Sequence, residues 1–236
     1  MTRDPDTIPP PGYLRVTEAL YLAPRLIRGF GHLGPRGPEL GAPAMIIPGF
    51  IATDRTTMEL RRAFAESGYR TYPWALGLNW GARADTIKRL RKRLNEISSD
   101  QPVLLVGWSL GGLFARELAR EVPEQIRAVV TLGSPFSGDP RWNNVWRLYE
   151  VVAGHKVDDP PVLRIHDKPP VPTLALWSRK DGIVAPRAAR GLPEESDKTV
   201  ELRCTHMGFG ISRVATRRVV EETTRFLTEQ GLAVPR

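Results

Sequence analysis

The sequence predicts an α/β protein built on a mostly parallel sheet of about six strands flanked by helices. Three observations predict it. Short apolar runs alternate with amphipathic segments along most of the 236 residues, the pattern of a sheet with helices on both faces. One run, VLLVGW at 103–108, is apolar throughout, as a strand covered on both faces should be. Breaker residues such as Pro48-Gly49 and Gly68 punctuate the runs where elements should end.

The elements follow in order. Residues 1–12 are polar and proline-rich and read as a loose arm. From Tyr13 to Phe30, Val16, Leu20, Ala23, Ile27 and Phe30 recur at steps of three and four and predict one face of a helix. Residues 31–43 are a breaker-rich loop. AMIIPG at 44–49 is the first strand. Thr56 and Glu59 have capping-box spacing, and Leu60, Ala63 and Phe64 supply the inner face of the helix that follows, which Gly68 ends. YRTYPWAL at 69–76 is the second strand, interrupted by Pro73. Ile87, Leu90, Leu94 and Ile97 then mark an amphipathic helix whose solvent face is the basic cluster between them.

VLLVGW is the third strand, followed by a helix carrying Leu113, Phe114 and Leu118. IRAVVTLG at 126–133, PTLALWS at 172–178 and TVELRC at 199–204 are the fourth to sixth strands. The last helix spans about Ser212 to Glu229, with Val214, Val219, Val220, Thr223 and Phe226 facing inward. One stretch breaks the rhythm. Between Ser134 and Pro172 the chain runs longer than a crossover needs, and RWNNVWRLYEVV inside it places Trp142, Val145, Trp146 and Tyr149 on one side of a helical segment. The reading is therefore an arm and amphipathic helix over 1–40, then a single domain over 41–236 interrupted by a long insertion between Ser134 and Pro172.

Composition narrows the class. Charged residues are 25% and apolar residues 41% of the chain, so neither disorder nor membrane spanning is indicated. The net charge of +8 is spread along the sequence, which argues for a basic surface and no nucleic-acid partner. Cys204 is the only cysteine; it reads as a small buried hydrophobe, excludes an intrachain disulfide and is consistent with a cytoplasmic protein. No apolar signal core opens the sequence.

The turn after the third strand carries the chemistry. Ser109 stands where strand becomes helix, with Gly107 and Gly111 on either side. So sharp a turn strains the serine backbone and leaves no room for side chains two residues away; the glycines supply that room and expose the hydroxyl at the carboxyl edge of the sheet. A dinucleotide-binding turn would also use glycines, but it needs an acidic residue at the end of the next strand. IRAVVTLGSP ends with none.

A serine hydroxyl needs a base, and the base needs an orienting group. Of the four histidines, His206 follows the sixth strand at the same sheet edge, while His32 lies in the N-terminal loop and His155 and His166 in the insertion. Asp181 follows the fifth strand in WSRKDGIVAP and falls between serine and histidine in chain order. Asp158 and Asp159 compete with it but have no strand before them. Two donors are then required for a developing oxyanion: the backbone N–H of Leu110, and one from the loop after the first strand, Phe50 in preference to Ile51.

These residues resemble the α/β-hydrolase superfamily, through PGF at 48–50, GWSLGG at 107–112, DGIV at 181–184 and THMGFG at 205–210. Within it the chain is most similar to small bacterial lipases and esterases, over about residues 41–230. The resemblance implies Ser109 as nucleophile, His206 as general base then acid, Asp181 as its orienting group, and the Leu110 and Phe50 amides as the oxyanion hole. It also implies that residues 136–170 form a small cap. The chain departs from the group in having PGF where many lipases have an HG pair.

The sequence thus points to a serine hydrolase acting on short- to medium-chain carboxylic esters through an acyl-enzyme, with no metal or other cofactor. Phe50, Ile51, Trp142, Trp146 and Tyr149 are its candidate pocket walls. A small-molecule ester or lipid is the expected partner; the N-terminal helix is expected to dock on its own domain, with peripheral membrane or lipid contact as the alternative. Long-chain glyceride lipase, amidase, thioesterase and acyltransferase chemistry use the same machinery. A catalytically silent hydrolase fold serving as a binding protein is the alternative of another class.

Overall fold

The computed structural model describes residues 5–18, 37, 41–97, 101–162 and 164–233. Six strands form one sheet in the order β2-β1-β3-β4-β5-β6: β1 (Pro43–Ile47), β2 (Arg70–Pro73), β3 (Val103–Trp108), β4 (Ile126–Leu132), β5 (Thr173–Trp177) and β6 (Lys198–Glu201). Every adjacent pair is parallel. Each strand therefore returns through a crossover, and all carboxyl ends open on one edge.

The helices are α1, described over residues 12–18, then α2 (Met58–Glu66), α3 (Thr86–Ile97), α4 (Leu110–Glu121), α5 (Trp146–Ala153), α6 (Pro186–Arg190), α7 (Gly208–Ile211) and α8 (Arg213–Glu229). Two apolar cores flank the sheet. Leu60 and Phe64 of α2 and Val219 and Phe226 of α8 pack on one face with Leu104, Val106 and Val130. Leu90 and Leu94 of α3 and Phe114 and Leu118 of α4 pack on the other with Met45, Ile47 and Leu105. Strand residues alternate between the two cores, so β3 and β4 are buried along nearly their whole length. The basic residues of α3 lie outward, as its spacing predicts.

Four local expectations are corrected. Thr56 and Glu59 form no capping box: Thr57 is the N-cap of α2 and makes no side-chain cap bond, Thr56 donates to the Thr53 carbonyl, and Glu59 pairs with Arg62 and Arg213. Val214 is exposed, because the inward face of α8 begins one residue later, at buried Ala215 and Thr216, after Ser212 caps the helix. In α1, Val16 faces outward and Glu18 is buried; Leu20, Ala23, Ile27 and Phe30 lie outside the described residues, as does His32. In the insertion, α5 begins only at Trp146, and Trp142 belongs to the turn before it, its N–H donating to the Asp139 carbonyl at 3.0 Å.

That insertion rises over the carboxyl edge and is stitched down at several points. Asn143 bridges to Val184 beyond β5. The Ala82 N–H donates to the Tyr149 hydroxyl at 3.1 Å. Arg116 of α4, fully buried, donates to the carbonyls of Glu195, His166 and Asp167 and stacks 4.3 Å over the Phe136 ring.

Candidate active site

Ser109 links β3 to α4 with φ +54° and ψ −123°, a region that costs a non-glycine residue on the order of 1–3 kcal/mol. The glycines around it are close-approach positions. A Cβ on Gly107 would enter the Gly111 and Gly112 backbone, and one on Gly111 would enter the Ile47 and Pro48 carbonyls. The serine's own N–H is anchored to the Leu132 carbonyl at 2.8 Å, which fixes the strained turn to β4. The side chain is half-buried at the head of α4, where the helix's first N–H groups point.

His206 and Asp181 meet beside it. The Asp181 Oδ2 lies 2.7 Å from His206 Nδ1, and both residues are almost fully buried. The other carboxylate oxygen accepts from the Ile183 and Val184 N–H groups, each at 2.8 Å, so the aspartate is fixed by its own turn. Burial pushes the imidazole toward neutrality, but the Asp181 charge and hydrogen bond, with Glu18 behind them, outweigh it and hold the His206 pKa above its ordinary value of 6.5. Trp108, next to Ser109 in sequence, donates from its indole to the His206 carbonyl at 3.1 Å and ties the histidine loop to the serine turn. No hydrogen bond joins Ser109 Oγ to His206 in this structure.

The loop after β1 faces the same turn. The Leu110 and Phe50 N–H groups have no acceptor among the described residues, whereas the Ile51 N–H donates to Asn79 at 2.8 Å. Asn79, buried and not singled out by sequence, locks this loop: its side chain donates to the Pro48 carbonyl at 2.9 Å and its backbone exchanges bonds with Ile51 and Ala52.

An apolar cleft leads away from Ser109 along one face of α4. Leu110, Leu113, Phe114 and Glu117 form its floor, and Phe50, Val145, Trp146, Tyr149, Val162 and Arg164 are among its walls. Phe50 and Tyr149 meet edge to face at 5.1 Å. Ile51 and Trp142 stand apart from the lining: Ile51 is exposed, and Trp142 covers Gly138 and packs toward Trp177 and Val184. The remaining candidates are also elsewhere. His155 contacts Tyr149 and the Ala82 carbonyl, His166 lies beside Glu195, and Asp158 pairs with Arg141.

Residues 80–159 match the family model described as alpha/beta hydrolase fold. The match includes Ser109 and stops before Asp181 and His206. Among solved structures, a thioesterase domain from the curacin biosynthetic pathway is 14% identical, with a TM-score of 0.58 over 78% of this chain and 93% of that one. The chain has the α/β-hydrolase fold. A carboxylesterase from Bacillus subtilis is 13% identical with a TM-score of 0.52, covering 78% of this chain and 84% of its own. A monoacylglycerol lipase from Paleococcus ferrophilus is 16% identical with a TM-score of 0.56, covering 80% and 96%. No curated protein matches the sequence. Among the described residues no helix is long and apolar enough to cross a membrane.

Like Asn79, Glu18 was missed by sequence reading. Its buried carboxylate accepts from the backbone N–H groups of Gly182, His206 and Met207. No local signal marks it, because its partners lie 164 to 189 residues away.

Proposed function

We propose that this protein is a serine hydrolase that cleaves short- to medium-chain acyl esters through an acyl-enzyme, with Ser109, His206 and Asp181 as its triad. The observation that carries the reading is a serine strained to positive φ at the carboxyl sheet edge, beside a buried His206–Asp181 pair 2.7 Å apart. Ser109 Oγ attacks the ester carbonyl while its proton passes to His206 Nε2. Asp181 holds Nδ1–H and so keeps Nε2 free to accept. The Leu110 and Phe50 amides, without an acceptor among the described residues, receive the oxyanion. The C–O bond then breaks, the alcohol leaves with the proton from His206, and water repeats the sequence on the acyl-enzyme.

The cleft supports the chain-length class. From Leu110 to Glu117 the floor runs roughly 10 Å at ~1.5 Å per residue, the reach of a medium acyl chain. It ends at charged groups, Glu117 and Arg164, which an apolar tail would have to desolvate. The fold neighbours include a carboxylesterase, a monoacylglycerol lipase and a type II thioesterase, which favours acyl chemistry on this framework.

The test is initial hydrolysis of p-nitrophenyl esters from acetate to palmitate, wild type beside Ser109→Ala. A maximum between butyrate and octanoate, abolished by the substitution, is expected. A maximum at palmitate would replace this reading with a lipase. Absence of Ser109-dependent turnover on every ester would remove the esterase reading.

A further inference from the structure

We infer that Glu18 is a positioning residue for the triad: one carboxylate on α1 clamps the aspartate turn to the histidine loop. The inference rests on the serine-hydrolase reading of the site.

The geometry is specific. Glu18 Oε1 accepts from the Gly182 N–H at 3.0 Å and from the His206 N–H at 2.6 Å, and Oε2 accepts from the Met207 N–H at 2.9 Å. Gly182 directly follows Asp181, so the carboxylate grips both triad loops at residues adjoining or within the triad. Glu18 is 4% exposed, and no cation pairs with it among the described residues. Burying an anion this way is costly unless hydrogen bonds replace its water, and three N–H donors do so here. A hydrophobic side chain would avoid that cost but leave the three N–H groups unpaired. Nor could it hold two loops in register.

The approach of α1 also explains a residue. A Cβ on Gly182 would lie 2.5 Å from the Leu14 carbonyl oxygen and 2.9 Å from Glu18 Cγ. The glycine after Asp181 is therefore where the helix comes down onto the acid turn. Other contacts hold the segment in place. Asn144 of the cap donates to both the Pro10 and the Gly182 carbonyls at 2.9 Å, and Asp6 pairs with Arg179 and Arg190 beyond β5. The N-terminal segment thus spans cap, acid turn and histidine loop.

The second effect is electrostatic. The charged groups facing His206 are Asp181 from its turn and Glu18 from α1; Cys204, in the loop after β6, neighbours the same two carboxylates. Burial, with Asp181 and Glu18, pushes the Cys204 thiol far up, so it stays neutral. Two carboxylates then favour the imidazolium that forms as Ser109 attacks.

The test compares Glu18→Gln and Glu18→Asp with wild type on p-nitrophenyl butyrate. The Glu18→Gln substitution removes the charge and turns an amide donor toward one of the backbone N–H groups that the carboxylate now accepts from. We expect kcat to fall by about ten- to a hundredfold with KM little changed, and the acid limb of the kcat profile to move to lower pH. The Glu18→Asp side chain keeps the charge but is too short to span both loops; kcat falls and the acid limb stays. A folded Glu18→Gln protein with wild-type kcat and an unmoved acid limb overturns the proposal. Amide hydrogen exchange on the wild type decides independently if the variants do not fold. Protection of the Gly182, His206 and Met207 amides comparable to the β-sheet supports the clamp, and exchange at free-loop rates overturns it. If wild type cleaves no ester, the hydrolase reading fails while the exchange result still judges the clamp.

Discussion

Ser109 holds its strained backbone in a turn that its flanking glycines pack tightly against β1 and α4. Gly111 is where that arrangement is most exposed to test. Its α-carbon faces the Ile47 and Pro48 carbonyls, which cannot retreat without disrupting the end of β1. Gly111→Ala should lower stability by about 1–3 kcal/mol by urea denaturation and reduce kcat, since the same carbonyls belong to the loop carrying the Phe50 amide. A wild-type urea midpoint would show that the turn has slack. The pH dependence is also set here. In the proposed mechanism only neutral His206 accepts the serine proton, and its pKa is held above 6.5 by Asp181 and Glu18 against burial. The acid limb of kcat/KM should therefore lie above pH 6.5. Asp181→Asn removes the larger opposing charge, moves the limb down and lowers kcat by roughly three to four orders of magnitude. A limb at or below 6.5 in wild type would contradict the charge arrangement. At this scale the meeting of Asp181 and His206 beside the Ser109 turn was legible because each of the three follows a recognisable strand. Asn79 and Glu18 were not, because their work is done through backbone N–H and carbonyl groups of distant loops, which no side-chain pattern encodes.

Strands were legible as elements where burial is two-sided. VLLVGW matches β3 residue for residue, since a strand covered on both faces needs apolar side chains at every position. The second and sixth strands, at the sheet edges, are shorter than their apolar runs: β2 stops at Pro73 and β6 at Glu201. Helix ends were less legible, because capping is settled by single hydrogen bonds; at α2 the arginines take Glu59 away from any capping role. The cap was legible as an interruption but not in its internal form. It is held largely by side chain to backbone bonds, and Arg116 is the clearest case. Burial lowers its pKa to about 10, still far above neutrality, so it remains a cation under the return of the cap. Arg116→Met keeps the volume but abandons three carbonyls and the stacking on Phe136. We expect a loss of about 3–5 kcal/mol in urea denaturation, with the segment around residues 164–168 losing protection from proteolysis first. A loss under about 0.5 kcal/mol, the range of a neutral surface change, would mean that water replaces the guanidinium without cost.

Across the whole molecule, parallel topology gathers residues from four strand ends at one edge, and the cap turns that edge into a cleft with a direction. The order β2-β1-β3-β4-β5-β6 puts β3 beside β1 and β4, so the serine turn lies between the loop carrying Phe50 and the root of the cap. The helix behind Ser109 is then both the support of the proposed nucleophile and the floor of the cleft. On the proposed reading this dual use makes chain-length preference a property of α4. Leu113 lies one turn beyond Ser109 and its side chain, partly buried, faces the cleft together with Leu110 and Glu117. Replacing it with Trp fills the floor midway while leaving the triad and both oxyanion donors in place. An acyl chain that ends before Leu113 is accommodated; one that must pass it is blocked. The ratio of kcat/KM for octanoate over butyrate should therefore fall by about tenfold or more in Leu113→Trp, since a few methylenes are each worth on the order of 1 kcal/mol in an apolar pocket. Glu117→Leu should act in the opposite sense, removing the charged stop and raising the rates on longer esters relative to octanoate. If both substitutions leave the chain-length profile unchanged, the acyl group does not run along α4, and the cleft would instead receive the alcohol side of the ester; varying the alcohol at fixed acyl length would then show the dependence on residues 113 and 117.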